Sequence, residues 1–257
     1  MKKFLNLQLG NVSRALFSVR FFACCILVCL IVIFTSIPLI HPDQGAIELL
    51  EASLGGSSGN LMLVLALVPL IPFTLSFGME YQQKAILPWI IRSGVKSYAL
   101  GKLSLSLISA FLTTAIGLAF AVLILSIWLP VHQHGIGTEA YSIYLVNGQV
   151  IRYLIFYIAH ISLSSVLFAM IAFWVSTMMP NRYVTLAAPV VCYYLMHRLT
   201  SSLNIPIQFK AMYIFESVYD AGTVWSSFLL KLMTVLIISL PLAYLSYINI
   251  KRRVAYG

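Results

Sequence analysis

LSLSLISAFLTTAIGLAFAVLILSIWL, residues 103–129, contains no Asp, Glu, Lys or Arg. A helix needs about 20 predominantly apolar residues to cross the hydrocarbon core of a bilayer, and this run exceeds that length. A strand of a membrane barrel would instead show short segments of alternating hydrophobicity, whereas this run is apolar on every side. The run therefore predicts a membrane-spanning α-helix.

The composition of the whole chain is that of an integral membrane protein. Hydrophobic residues make up 61% of its 257 residues and charged residues only 9%, whereas about a quarter of a soluble protein is charged. A net charge of +9 would suggest nucleic acid if the positive residues formed a face on a soluble fold. Here they lie between long apolar runs, so we expect membrane lipid as a partner and no nucleic acid.

Six apolar runs predict an all-α integral membrane fold with six transmembrane helices. The spans are predicted at about 21–40, 61–77, 103–129, 153–178, 183–199 and 228–248. Residues 1–20 precede the first span, residues 21–248 form the transmembrane domain, and residues 249–257 form a basic tail. The fifth predicted span is short and contains Pro189.

Lys and Arg residues are distributed unequally between the predicted loops. Of the 16, 12 lie in the N-terminal segment, the loop between spans two and three, the loop between spans four and five, and the tail. The opposite side receives Arg152, Arg198 and Lys210, and Lys231 lies just inside the last span. By the positive-inside rule both termini are cytoplasmic. We expect a multi-pass protein of a bacterial plasma membrane.

The N-terminal segment has the pattern of an amphipathic helix. Its apolar residues are spaced by three or four positions: Leu5, Leu9, Val12, Leu16 and Val19. This spacing places them on one face of a helix. We therefore predict a helix that lies in the cytoplasmic membrane interface.

The sequence contains no ATP-binding motif. The segment around Gly94 and Lys102 resembles a phosphate loop, but that motif needs four residues between Gly and Gly-Lys, followed by Ser or Thr. Six residues separate Gly94 from Gly101, and Leu103 follows Lys102.

The predicted spans also lack Asp and Glu, which ion-coupled pumps generally need. We expect no catalytic residue and no cofactor in this chain.

Histidines are the next candidates for chemistry. FYIAH, residues 156–160, resembles one element of the intramembrane CAAX-type proteases, but the paired glutamates that accompany it in those enzymes are missing. An intramembrane enzyme that uses His160 is kept as an alternative. His132 and His134 have no third ligand nearby, so no metal site is predicted.

The loop between spans two and three concentrates the polar residues. MEYQQKAILPWIIRSGVKSYALGK, residues 79–102, holds four of the Lys and Arg residues. Its apolar part, Ala85–Ile91, is flanked by Lys84 and Arg92, and Pro88 suits the first residue of a short helix. Such a helix could dock in a groove on a soluble partner. Alternatively, Trp89 could anchor it in the headgroup layer.

The layout of the chain resembles the ABC-2 type permeases, and its size resembles the bacteriocin and lantibiotic immunity exporters among them. In that family the loop after the second span reads Glu, Gly-Thr, an apolar run, Pro, a basic residue and a closing Gly-Lys. The matching residues here are Glu80, Ala85–Ile91, Lys96 and Gly101-Lys102. The chain departs from the pattern at Lys84-Ala85, where Gly-Thr is usual, and at Gly94, near the expected Pro.

The resemblance implies a permease subunit of an ATP-driven exporter, which is not itself an enzyme. It implies pairing with a second copy or a related permease and with separate ABC ATPase subunits that bind ATP and Mg. The implied ATPase-coupling residues are Glu80, Ala85, Ile86, Leu87, Pro88, Trp89, Ile90, Ile91, Arg92, Lys96, Gly101 and Lys102. The family also tends to place short re-entrant helices between spans five and six, with which Ile205–Gly222 is compatible.

The composition of the predicted spans bears on the cargo of such an exporter. Spans rich in Phe, Tyr, Leu and Ser, without acids, suit an amphipathic or hydrophobic cargo such as an exported peptide. A non-transporting membrane immunity or scaffold protein that binds a toxin directly is the remaining alternative. Dependence on a partner ATPase would distinguish the two.

Overall fold

The structure is a computed structural model that describes residues 10–41, 44–55, 61–133 and 140–256. The described residues are 82% helical and contain no strand. The helices long and apolar enough to cross a membrane are Gly10–Leu39, Val95–Trp128, Val150–Met178 and Val224–Ala255. The prediction of an all-α fold is confirmed for the described residues, and four helical stretches have the length and composition of membrane spans.

We number the α-helices of the described residues in chain order. They are α1 (residues 10–16), α2 (Val19–Ser36), α3 (Ala46–Leu54), α4 (Ser76–Gln82), α5 (Ile86–Ser93), α6 (Val95–Trp128), α7 (Ser142–Val146), α8 (Val150–Met178), α9 (Arg182–Ser202), α10 (Ala211–Phe215) and α11 (Val224–Tyr256). Shorter turns of helix are Ile37–Leu39, Leu63–Leu67, Val68–Leu70 and Ile207–Phe209.

Three predicted spans, 103–129, 153–178 and 228–248, each correspond to one long helix: α6, α8 and α11. All three helices begin before the predicted spans. α6 begins at Val95, so Lys102 lies inside the helix and not at its entrance. α11 continues to Tyr256, so the predicted basic tail is a helical extension of the last span.

The second and fifth predicted spans have a different form. Residues 61–77 are not one regular helix, because a π-helical turn at Leu63–Leu67 is followed by a 3₁₀ turn and then by α4. Pro69 and Pro72 lie in this region, and each removes a backbone donor that a continuous helix would use. The fifth predicted span lies within α9, which carries Arg182 and Arg198 and is less apolar than the four long helices.

α8 is the central helix of the bundle. Within its most apolar stretch 67% of the residues are buried, against 11% for α11. α8 packs against α6, α9 and α11, and α2 packs against α6. A Cβ atom on Gly117 of α6 would lie 2.5 Å from Cγ1 of Val28. Only glycine permits this close approach of α2 to α6.

The bundle has two ends with different elements. At the α5 end, Gln82 Nε2 donates to the Pro180 carbonyl at 2.8 Å, and Arg253 Nε donates to the Thr177 carbonyl at 2.7 Å. These bonds join α4 and the last turns of α11 to the end of α8. At the opposite end, called the α3 end, the Ala46 amide donates to the carbonyl that follows α6, at 2.9 Å.

The predicted N-terminal helix is described only from residue 10, so Leu5 and Leu9 lie outside the described residues. Val12 and Leu16 of α1 pack against a buried cluster of Ala15, Phe73 and Leu105. They therefore face the bundle at the α5 end.

α1 and α2 are separated by a break at residues 17–18. Ser18 caps α2, because its side-chain oxygen accepts a hydrogen bond from the Phe21 amide at 3.2 Å. Val19, predicted on the same face as Leu16, lies after this break as the first residue of α2 and is exposed. The predicted apolar face is therefore not continuous through Val19.

Candidate functional site

The predicted coupling residues lie on three consecutive elements at the α5 end. Glu80 belongs to α4, the apolar run forms α5 with Ala85 as its N-cap, and Lys96, Gly101 and Lys102 lie in the first two turns of α6. α5 begins two residues before Pro88. A proline is tolerated in the first turn of a helix because that turn's amides have no intrahelical partner.

The turn from α4 to α5 has the geometry of a Schellman motif. The Ala85 amide donates to the Glu80 carbonyl at 2.9 Å, and the Lys84 amide donates to the Tyr81 carbonyl at 3.0 Å. Lys84 accordingly has a φ of 56°, in the left-handed region that glycine adopts without strain. This turn reverses the chain so that α5 follows α4 directly.

The turn from α5 to α6 depends on Gly94. The Gly94 amide donates to the Ile90 carbonyl at 2.8 Å and ends α5. Gly94 has a φ of 79°, and α6 begins at the next residue. A single residue therefore separates α5 from α6 along the chain.

A buried polar cluster joins α4 to α6. Lys102 Nζ lies 2.5 Å from Glu80 Oε1, and Tyr98 Oη donates to Glu80 Oε2 at 2.7 Å. Lys102 Nζ also lies 3.4 Å from Ser76 Oγ and 4.7 Å from the ring centroid of Phe73. The Lys102 side chain is only 3% exposed. The ion pair is thus enclosed by protein and holds the two helices in a fixed relation.

α5 has one buried face and one exposed face. Ile86 and Ile90 belong to a buried cluster whose other members are Phe77, Tyr98, Ala99, Phe173 and Ile250. This cluster joins α5 to α4, α6, α8 and α11. On the other face, Leu87 is half exposed and Ile91 is 83% exposed. The sequence predicted that α5 is apolar. The structure shows that Ile86 and Ile90 anchor α5 to the bundle, whereas Leu87 and Ile91 are exposed.

Positive charge surrounds the exposed face of α5. Lys84, Arg92 and Lys96 are exposed, and the Arg14 guanidinium lies 5.8 Å from the ring centroid of Trp89. Among the described residues, Glu80 is the acidic residue at this end of the bundle, and it is paired with Lys102. The surface around α5 therefore favours an acidic partner surface or lipid phosphate.

A pocket of about 480 Å³ opens beside α5 between α4 and the end of α11. Leu87 and Lys84 line one side, and Arg253 lines another. The Arg253 guanidinium lies 4.8 Å from the ring centroid of Tyr81 and also donates to the Met178 carbonyl. These contacts fix the position of the Arg253 side chain in the pocket lining. A side chain of a partner protein could contact it there.

His160, the candidate of the alternative enzyme hypothesis, lies in α8 away from this site. It is 1% exposed, and its Nδ1 lies 2.7 Å from Tyr141 Oη. Nearby, Lys231 Nζ donates to Ser164 Oγ at 2.8 Å, and a serine beside a lysine can act as a nucleophile with its base. Ser164 is fully buried, so no substrate reaches it in this arrangement.

The remaining histidine hypothesis concerns His132 and His134. His134 lies outside the described residues, and His132 Nδ1 lies 2.7 Å from Glu48 Oε1 at the α3 end. No group of three or more potential ligands that could hold a metal occurs within the described ranges.

Another polar contact at the α3 end joins Tyr153 to Glu51. Tyr153 donates to Glu51, and burial raises the pKa of the Glu51 carboxyl.

Sequence reasoning missed two members of the site. Tyr98 lies four residues before Lys102 on α6, so the two share a helix face, and this spacing was the available signal. Arg14 reaches Trp89 through tertiary packing of α1, for which the sequence carries no local signal.

No protein-family model, curated protein or solved structure matches this chain.

Proposed function

We propose that this chain is the membrane-spanning permease subunit of an ATP-driven ABC-2 type exporter. One observation carries the proposal: α5 is a short amphipathic helix with an exposed apolar edge, clamped between α4 and α6 by the enclosed Glu80–Lys102 pair. In this role the exposed edge of α5 seats in a groove on a separate ATPase subunit. Arg92 and Lys96 meet its acidic surface.

The turn before α5 supports the resemblance to the family. Lys84 stands where Gly-Thr is usual, and its backbone has the left-handed conformation that glycine favours. The chain thus departs from the family in the residue but keeps the backbone shape that a glycine would give. Glu80 and Lys102, which mark the ends of the loop in the resemblance, are in direct contact.

The proposed topology has six spans with both termini in the cytoplasm. Its spans are α2, the irregular stretch 61–77, α6, α8, α9 and α11. α1 and the end of α11 lie at the α5 end, where most of the Lys and Arg residues of the described ranges also lie. By the positive-inside rule this end is cytoplasmic, as docking to a soluble ATPase requires.

The proposed transport step begins at α5. Closure of an ATPase dimer on ATP moves α5, and the buried cluster around Ile86 and Ile90 passes this displacement to the helices it contacts. A pair of permeases then rocks between inward-facing and outward-facing states. The cargo in this proposal is amphipathic or hydrophobic, such as a peptide.

A protection or release assay in the native host tests the proposal. Cells that carry the chain and an inactivated ATPase partner should lose both release of the peptide and resistance to it. Resistance that persists without ATP hydrolysis would favour the immunity or scaffold alternative. Loss of activity in His160→Ala, at unchanged protein level and ATPase binding, would favour the intramembrane enzyme.

A further inference from the structure

A second pocket lies near the α3 end, beside the first turns of α11. It encloses about 630 Å³, within the range of ligand-binding pockets. Its polar lining includes His160 and Lys231, and its apolar lining includes Leu230, Ile237 and Ile238. It lies outside the coupling site, and it brings His160 next to residues of the Ile205–Gly222 segment.

Lys231 is a buried amine with no acidic side chain beside it in the described residues. It is 5% exposed, and its Nζ donates to Ser164 Oγ at 2.8 Å and to the Ile214 carbonyl at 2.6 Å. The residues that line the pocket include no acid. Within the described ranges Lys231 also forms no salt bridge. A buried charge in this position is costly unless an opposite charge meets it.

His160 supplies a second polar group at the same place. Its Nδ1 is engaged by Tyr141, whereas its Nε2 is buried and makes no hydrogen bond of normal geometry with any described residue. The backbone of Ser217 lies close to the imidazole without completing such a bond. Buried polar atoms of native proteins are nearly always paired, so an unpaired one lining a pocket indicates a ligand atom.

The pocket changes from polar to apolar along α11. Lys231 lies seven residues after the start of α11, or about 10 Å along the axis, and Ile237 and Ile238 lie about another 10 Å further. Leu230 and Ile237 line the pocket and are also exposed on the outer surface of the bundle. The pocket therefore opens sideways, toward the hydrocarbon of a surrounding bilayer.

Aromatic and amide side chains line the same pocket. Gln208 Nε2 donates to Tyr219 Oη at 2.7 Å, and Tyr213 packs edge-on against Tyr219. Tyrosines are enriched at the level of lipid head groups because one end is apolar and the other polar. A head group bound at Lys231 and His160 would therefore place an acyl chain along the apolar wall.

We propose that this pocket binds an anionic phospholipid of the surrounding bilayer, with its phosphate between Lys231 and His160 and one acyl chain along Ile237 and Ile238. The pocket is too small for a whole phospholipid. The head group and the first part of one chain occupy it, and the rest remains in the bilayer. This inference goes beyond the proposed export function and does not depend on it.

Native mass spectrometry of the purified chain in a neutral detergent tests the proposal. Phosphatidylglycerol and phosphatidylcholine with identical chains are added in equal amounts, and the bound fraction of each is measured. The wild type should retain phosphatidylglycerol in preference. Lys231→Met should weaken retention of phosphatidylglycerol roughly tenfold or more, since a charge-assisted contact is lost, and should leave phosphatidylcholine unchanged. Lys251→Met, an exposed change at the other end of α11, should have no effect.

A second pair of variants tests the part of the pocket that would hold the acyl chain, and it leaves the buried Lys231 unchanged. Ile237 lines the pocket and is 68% exposed, whereas Leu240 is 66% exposed and does not line it. Ile237→Trp should reduce retention of phosphatidylglycerol, and Leu240→Trp should not. Equal binding of both lipids by the wild type, or an unchanged preference in Lys231→Met, would overturn the proposal. Displacement of phosphatidylglycerol by inorganic phosphate alone would also overturn it, because the pocket would then hold a free anion.

Discussion

Glu80 and Lys102 are 22 residues apart in the chain, yet Lys102 Nζ lies 2.5 Å from Glu80 Oε1 in a protein-enclosed pair. Breaking such a pair on one side leaves an uncompensated buried charge. We expect Lys102→Met or Glu80→Gln alone to lower the free energy of unfolding by about 3–5 kcal/mol. The double variant Glu80→Gln with Lys102→Met should recover much of the loss. Denaturation of the purified protein in mixed micelles measures this, and additive losses in the double variant would refute it.

The turn before α5 gives a prediction about stability. Lys84 occupies the left-handed position of a Schellman motif, and Gly148 occupies the same position after α7, with a φ of 68°. A non-glycine residue in this conformation costs about 1–2 kcal/mol. Lys84→Gly should therefore raise the free energy of unfolding by about 1 kcal/mol, since glycine's greater freedom when unfolded offsets part of the gain.

The matched change at the other turn should have the opposite sign. Gly148→Ala should lower the free energy of unfolding by a similar amount, because alanine is strained at positive φ. Both variants are measured in the same denaturation assay. A destabilising effect of Lys84→Gly would show that the lysine side chain contributes more than the backbone conformation costs.

The contact between α2 and α6 predicts a steric effect. Gly117→Ala places a methyl group 2.5 Å from Cγ1 of Val28 and 3.0 Å from the Cys25 carbonyl oxygen. Overpacking of this kind costs about 1–3 kcal/mol. Val28→Ala removes Cγ1 but leaves the Cβ atom of residue 28 at 2.6 Å from the new methyl group, so the double variant should recover little of the loss. Full stability of Gly117→Ala alone would contradict the observed approach of the helices.

Glu51 predicts a dependence of stability on pH. Burial raises the pKa of its carboxyl in the folded protein, so Glu51 stabilises the fold when protonated, and this contribution is lost as pH rises through the folded pKa. Glu51→Gln lacks a charge at any pH and can still accept the hydrogen bond from Tyr153. The variant should gain stability over the wild type at pH about 7, and the gain should shrink toward pH about 4. An equal gain at both values would exclude titration of Glu51 as the cause.

The sequence was sufficient for the membrane class and for three long helices, because charge-free runs such as 103–129 allow few alternatives. The sequence predicted less well the regularity of a helix and the side on which a helix packs, because both also depend on contacts between helices. Pro69 and Pro72 interrupt the helical hydrogen bonds of an apolar run that is nevertheless packed in the buried core. Val12 and Leu16 have the spacing of an interfacial helix but face the bundle, which periodicity alone cannot distinguish from facing lipid.

The same contrast holds for the sites. Glu80, Ala85–Ile91 and Lys102 were predicted from the resemblance of this loop to a family pattern, and their contacts follow from the short turns that join α4, α5 and α6. The Lys231 pocket brings α8 together with α10 and α11, which lie far from α8 in sequence. The sequence showed Lys231 as a cation close enough to the end of a span to reach the interface. Its enclosure by Ser164 and Ile214 required the tertiary structure.

The central claim is that α5 binds a separate ATPase subunit. Ile91 of α5 is 83% exposed, and Val146 of α7 at the opposite end is 71% exposed, so Ile91→Asp and Val146→Asp are matched changes outside the long spans. The measurement is gentle detergent purification of each tagged variant from the native host, followed by mass spectrometry of the bound proteins. We expect an equimolar P-loop ATPase with the wild type and with Val146→Asp, and its loss with Ile91→Asp. A wild-type chain that purifies without an ATPase, or an Ile91→Asp variant that retains it fully, would contradict the claim.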